Sequence, residues 1–362
     1  MTEACVALLG RRDEPTDAVE EYCTWLARGL APLGINLELA RVPWARTGWR
    51  AALADLRRHA PAWAGRVILV QYTALAWSER GFPTRFPGLL RVLRAAGARC
   101  VLVFHDAKPY TGARLIDRAR RAWQTRVMRS AWALADGVVL TVPLERLTWQ
   151  PPPSPVPVFL PVGANLPARS GAAVSERDAG APLTVAVFGV TGGEHAPREV
   201  ADIALAVNRA AARVSGLRLV VFGRGAEDAR MLLETAIDRS RVALEVRGVL
   251  PEQEVARTLE AADALLFVRD HISSRRGSAI AGIACGLPVV AYEGAETAAP
   301  ITDAGVLLAP LGNREALAHA LEQVLTDDGL RAVLASRSRQ AAEQFFSWKA
   351  IAARYADLIR AK

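Results

Sequence analysis

Residues 271–292 read HISSRRGSAIAGIACGLPVVAY. The second half predicts a short helix, Ser278–Cys285, stopped by Gly286 and Pro288 and followed by an apolar strand. A continuous apolar strand behind a helix belongs to a parallel sheet covered on both faces. The first half sets Arg275 and Arg276 where that helix begins, with Gly277 and Ser278 behind them and Ser273 or Ser274 as the N-cap. A helix N-terminus is the positive end of its macrodipole, so two cations there are disfavoured. An anion between them would take both guanidinium forks and the free amides of the first turn. The alternative is that both arginines point into solvent.

Outward from this stretch the same alternation runs in both directions. In the first half, strands are expected at ACVALLG, INLELARV, RVILVQY, RCVLVFHD and DGVVLTV. Amphipathic stretches such as Trp49–His59, Pro83–Ala96 and Gly112–Leu134 separate them. In the second half, LTVAVFG, LRLVVFG, VALEVRG, DALLFV, LPVVAY and AGVLLA alternate with helical stretches. Between the halves lies a segment rich in Pro, Ala, Gly and Ser, which reads as a linker around a short strand at 156–161. The fold class is therefore α/β, with two doubly wound, Rossmann-like parallel-sheet domains facing across a cleft. Residues 1–165 form the first domain, 166–182 the linker and 183–345 the second domain. A closing helix over 346–362 crosses back to the first. The carboxyl edges of both sheets are where ligands are expected.

Composition and missing motifs narrow the function. The chain has 362 residues and a formal charge of +8, almost all of it arginine. That excess fits a face that meets phosphates or an anionic membrane, and equally an arginine-rich proteome. No helix-turn-helix, zinc-finger or aromatic RNA-binding signature is present, so nucleic acid is not expected as a partner. There is no G-x-x-x-x-G-K-[ST] loop, no G-x-G-x-x-G after the first strand and no G-x-S-x-G elbow. The five histidines are dispersed, and neither a metal nor a cofactor is expected. The four cysteines sit in apolar contexts and read as reduced, buried thiols of a cytoplasmic protein. MTEACVALLGRRDE reads as a first strand rather than a signal peptide, and no apolar run is long enough to span a membrane. The stretch Gly112–Leu134 carries Arg114, Arg118, Arg120, Arg121, Arg126 and Arg129 with Trp123 and Trp132. It reads either as peripheral contact with the inner membrane face or as a core helix with a solvated arginine face.

IACGLPVVAYEGAET resembles the donor-binding segment of retaining family-4 glycosyltransferases, of GT-B type, also called glycosyltransferase group 1. LTVAVFG, LRLVVFGRG, LEVRGVLPEQEVARTLEAADALLFV, AGVLLAPLGNREALAHALEQVLTDDGLRAVL and FFSWKAIAARYADLI resemble its other segments in order, as do ILVQY, VFHDAKPY, ADGVVLTV and PVGANLP. The resemblance implies transfer of a sugar, with retention, from a nucleotide-diphospho-sugar to a glycan, lipid-linked or small-molecule acceptor. The family carries two donor-segment glutamates. Here Ser273 and Ala281 occupy those positions, and the Arg-Arg-Gly-Ser run marks a subgroup with a variant donor pocket. The resemblance places the diphosphate at Gly189, Thr191, Gly192, Arg198, Ser274, Arg275, Arg276, Gly277 and Ser278. It places the base near Gly248, Val249 and Leu250. His105 and Asp106 end a strand of the first domain and are the candidate catalytic pair, with Tyr72 on the acceptor side. An inverting transferase, a nucleotide-sugar epimerase with Asp106 as base, and a non-catalytic accessory subunit are the alternatives.

Overall fold

The computed structural model describes residues 3–14, 17–167 and 181–361. It divides into two compact units, Met1–Pro161 with Trp348–Lys362, and Val162–Ser347. Each is built on a six-stranded parallel sheet.

In the first unit the strands are β1 (Glu3–Leu9), β2 (Ile35–Arg41), β3 (Val67–Tyr72), β4 (Arg99–Phe104), β5 (Gly137–Leu140) and β6 (Val158–Phe159), in the order β2-β1-β3-β4-β5-β6. All six residues of β3 are buried, as the continuous run VILVQY requires of a strand covered on both faces. Burying each such Val, Leu or Ile contributes about 1.5–3 kcal/mol. One face packs against helices Trp49–His59, Phe86–Ala95 and Leu115–Leu134 through Leu56, Phe86, Leu90, Met128 and Trp132. Helix Ala18–Leu30 begins at Asp17, whose carboxylate accepts from the amides of Val19 and Glu20. It lies against the last helix, Trp348–Arg360, where a Cβ on Gly29 would come within 2.9 Å of Ala352 Cβ. The hydroxyls of Tyr22 and Tyr355 close that contact at 2.9 Å.

The second unit has β7 (Leu183–Phe188), β8 (Leu217–Phe222), β9 (Val242–Val246), β10 (Ala264–His271), β11 (Val289–Glu293) and β12 (Val306–Pro310), ordered β12-β11-β10-β7-β8-β9. Helices cover both faces. On one side Ile203, Val207, Leu317 and Leu321 form the core; on the other Ile280, Ile283, Leu265 and Phe267 do. Gly282 is required there, because a Cβ would lie 2.5 Å from Leu265.

Local differences from the sequence reading have local causes. Val162 and Ala164 donate to the carbonyls of Ser274 and Phe346, so the second unit starts at Val162 rather than after residue 165. Of the linker expected over 166–182, residues 168–180 lie outside the described residues. The helix expected from Ser278 runs Gly277–Ala284, and its N-cap is Arg276 with no capping side chain. All four cysteines are free and buried.

Candidate functional site

In the second unit, strand order reverses between β7 and β10, the point where doubly wound sheets bind ligands. After β7 the chain turns through Gly189, at φ +86, and runs over the loop that follows β8. There Val190 donates to the carbonyl of Arg224 at 3.1 Å, and a Cβ on Gly225 would strike the Val190 carbonyl oxygen. The two loops are therefore interlocked, which carries Arg224 to Gly189. Cβ atoms on Gly192, Gly193 and Gly277 would meet nothing within 4 Å. The backbone is thus open at Gly192, Gly193 and the first residue of the Gly277–Ala284 helix.

Opposite this loop, β10 is irregular. Phe267 pairs with Ala291 and His271 with Tyr292, so Val268, Arg269 and Asp270 bulge out. Asp270 adopts φ +59, a conformation uncommon outside glycine that Asp tolerates. Arg269 Nη1 lies beside Gly189, at 3.2 Å from where its Cβ would be. Burial, opposed by Glu199 and aided by Arg224, pushes the Arg269 pKa down. Burial and the neighbouring Arg275 do the same to Arg276. The Nε atoms of Arg269 and Arg276 and the hydroxyl of Ser273 are buried with no hydrogen-bond partner. Buried donors left unspent carry their full desolvation cost. A bound anion would take up both guanidiniums and raise both pKa values.

The arginines at the helix start do not stand alone. Arg275 donates to both oxygens of Glu296, at 2.7 and 3.2 Å, and Arg276 reaches Asp270 at 3.4 Å. Glu296 is 4% exposed. Burial raises its pKa, but the nearby His271 ring and the hydrogen bonds and charge of Arg275 prevail and hold it at about 2. The turn that delivers Glu296 is fixed by Thr297, whose hydroxyl donates to Ile272 at 2.6 Å. Gly294 is needed there because a Cβ would lie 2.5 Å from His271. The carboxylates, not solvent and not an anion alone, answer the charge that the sequence left open.

The other expected donor residues divide. Gly189, Gly192, Arg275, Arg276 and Gly277 belong to this region. Ser274 is buried, and its carbonyl accepts from Val162. Neither it nor Ser273 caps the helix, because the N-cap falls at Arg276. Ser278 is half-buried in the helix's first turn. The Thr191 amide is already held by the buried Glu199 carboxylate at 2.7 Å. Arg198 is exposed, beside Gly312 and near Tyr292, while Arg269, with Arg224 acting on its charge, lies beside Gly189. Gly248 lies two residues beyond β9, and its carbonyl accepts from Gly223. Val249 is 70% exposed, and Leu250 packs on the core.

In the first unit the order reverses between β1 and β3. A cavity of about 300 Å³ opens there, lined among others by Arg11, Arg12, Arg41, Gln71, Thr73 and Asp106. Arg41 is spent on Asp17 and Glu20, at 3.1 and 2.9 Å. Asp106 accepts from the Lys108 amide at 3.3 Å. His105 Nε2 meets Gln71 Oε1 at 2.7 Å, and burial pushes the imidazole pKa down to about 4. Tyr72 does not line an acceptor site. It is fully buried, packed on Phe86 and Phe104, because strand alternation turns it to the face opposite Gln71. Trp132 is likewise core, donating to Pro155 at 3.0 Å. Trp123 is exposed, as are Leu115 and Ile116.

Among the described residues, no three His, Cys, Asp or Glu side chains group as metal ligands, and no helix is long and apolar enough to cross a membrane. Two doubly wound parallel units in one chain define the GT-B fold class. Within it, residues 186–327 match the family model described as glycosyl transferases group 1. No curated protein matches the sequence. Among solved structures, HepE of Anabaena, in complex with UDP and glucose, is 16% identical. That match covers 98% of this chain and 99% of that one, with a TM-score of 0.65. A glycosyltransferase of Rickettsia africae is 11% identical over 99% and 98%, with a TM-score of 0.70. A putative UDP-N-acetylglucosamine 2-epimerase of Listeria monocytogenes is 10% identical over 99% and 96%, with a TM-score of 0.62. At such identities the likeness is one of fold.

Proposed function

We propose that the chain is a cytoplasmic, metal-independent glycosyltransferase that takes a sugar from a nucleotide-diphospho-sugar and transfers it with retention to a glycan, lipid-linked or small-molecule acceptor. The observation that carries the reading is the arginine cluster at the β7/β10 switch point. Arg224, Arg269, Arg275 and Arg276 gather near open glycine backbone and a helix N-terminus, with the buried Nε atoms of Arg269 and Arg276 unspent. A diphosphate satisfies that donor set, and charge-assisted hydrogen bonds of this kind are worth about 1.5–3 kcal/mol each. The same contacts strengthen as the sugar departs and negative charge grows on the leaving diphosphate, which is how such a site accelerates transfer. No protein base need attack the sugar, because the leaving diphosphate itself assists the acceptor proton. The acceptor binds the first unit at the cavity beside Asp106 and His105. Gly248 and Val249 border the base.

The test is a thermal-shift screen against UDP, GDP, ADP, TDP and their sugars in EDTA, followed by transfer assays and NMR of the product anomer. A folded-state ligand raises apparent stability by mass action. An inverted anomer would move the reading to an inverting transferase.

Two observations favour subsidiary readings. Ser273 and Ala281 stand where carboxylates are expected, and the fold is shared with a putative epimerase. Epimerised nucleotide sugar without transfer would establish that alternative, and donor binding without turnover would establish an accessory subunit. On the first unit, Leu115, Ala119, Ala122, Trp123 and Arg126 share one exposed helix face, with Ile116, Arg118 and Arg129 beside it. This stripe supports peripheral contact with an anionic membrane.

A further inference from the structure

Gln71 is 1% exposed, yet its amide is used at both ends. Nε2 donates to the Leu69 carbonyl at 2.9 Å, which fixes the amide's orientation and turns Oε1 to His105 Nε2 at 2.7 Å. An amide oxygen only accepts, so His105 Nε2 carries the hydrogen. With one ring nitrogen protonated in a neutral imidazole, Nδ1 is left as an acceptor. Trp77 Nε1 donates to the Gln71 carbonyl at 2.8 Å and steadies the end of β3. Tyr22 meets the imidazole edge-on at 4.8 Å, and its own hydroxyl is tied to Tyr355. The ring is thus gripped from two sides.

We propose that Gln71 is a positioning residue that fixes His105 as the Nε2–H tautomer, so that Nδ1 is left as the hydrogen-bond acceptor for a hydroxyl of the acceptor bound at the first unit. The proposal rests on the glycosyl-transfer reading above. A hydrogen bond accepted from that hydroxyl enriches its oxygen in electron density and makes it the better nucleophile. An imidazolium, or the reversed tautomer, would present a donor there instead.

The experiment is ¹⁵N NMR of histidine-labelled protein at pH 7, with the His105 signals assigned by loss in His105→Asn, run on wild type, Gln71→Met and Gln71→Glu. Wild type is expected to show the neutral Nε2–H tautomer. Gln71→Met fills similar volume without an acceptor and should give a mixture of tautomers, with kcat falling about tenfold or more and donor KM little changed. Gln71→Glu keeps an acceptor and should keep the hydrogen on Nε2. An Nδ1–H tautomer or an imidazolium in wild type overturns the proposal. So does an unchanged tautomer in Gln71→Met, or a changed tautomer with unchanged kcat. Should Gln71→Met not fold, the wild-type spectrum still decides the tautomer, and Gln71→Glu with its hydrogen on Nδ1 also overturns the proposal. If wild type transfers no sugar to any acceptor, the function reading fails, while the spectra still decide whether Gln71 sets the ring.

Discussion

Removing Arg275 uncovers a buried carboxylate. Glu296 is 4% exposed and is held by both nitrogens of one guanidinium, at 2.7 and 3.2 Å. Arg275→Ala leaves that charge with His271 Nε2 at 3.7 Å as its remaining near partner. Breaking a buried pair from one side costs about 3–5 kcal/mol. The depressed Glu296 pKa reflects the same contact. The Glu296 pKa of about 2 lies below the ordinary 4.5, a gap worth on the order of 3 kcal/mol. Because the folded pKa is depressed, this stability is fully present above pH 4.5 and is lost as pH falls toward 2. In urea at pH 7, Arg275→Ala should therefore lose about 3 kcal/mol. Glu296→Gln should lose less, because the freed guanidinium is 22% exposed and can hydrate. In the double variant the losses should fall short of additive by about 1–3 kcal/mol, the coupling expected of groups in direct contact. A wild-type unfolding free energy in Arg275→Ala, or strict additivity, would refute the reasoning. From the sequence alone, two cations at a helix N-terminus are disfavoured, so removing one is expected to cost the apo protein little stability or to add some.

His105 titrates at about 4 when folded against an ordinary 6.5, so the unfolded chain binds the extra proton between those values. Its contribution is complete above pH 6.5 and is lost as pH falls to about 4, by at most ~3 kcal/mol. The difference in unfolding free energy between wild type and His105→Asn should therefore vary across that window, and a constant difference would contradict the neutral ring. Wild type should sediment with anionic vesicles at low salt and release at high salt, since screening weakens such contacts. Leu115→Asp with Trp123→Asp should sediment markedly less, and equal sedimentation would dismiss the exposed stripe as a membrane face. Activity should survive EDTA, and loss restored by magnesium or manganese would argue against a site built on arginines.

The sheets were legible because their strands are apolar runs too long and too uninterrupted for half-exposed strands. VILVQY and LTVAVF could be placed without knowing their neighbours, and the alternation with helices implied parallel pairing. Side-chain direction at strand ends was less legible. Gln71 and Tyr72 are adjacent, and only the register of β3 between β1 and β4 decides which one reaches His105. Arg275 and Arg276 could be singled out because they violate a local helix rule. Their answering carboxylates could not, since Glu296 is 21 residues from Arg275 and arrives through a turn locked onto Ile272. Arg269 falls just past the expected strand DALLFV, and a bulge invisible in the sequence turns it toward Gly189. Arg198 was singled out by resemblance, and helix Ala196–Ala211 carries it beside Gly312. Trp132 joined Trp123 in an apparent interfacial pair until burial separated them.

The most direct measurement is isothermal calorimetry of the full chain with UDP, GDP, ADP and TDP in EDTA, for wild type, Arg269→Ala and Arg276→Ala. One nucleoside diphosphate should bind wild type, and each arginine variant should bind it about tenfold or more weakly, the loss of ~1.4 kcal/mol or more expected when a charge-assisted contact to phosphate is removed. Wild-type affinity in both variants, or no binding of any of the four by wild type, would contradict a diphosphate site at the β7/β10 switch point.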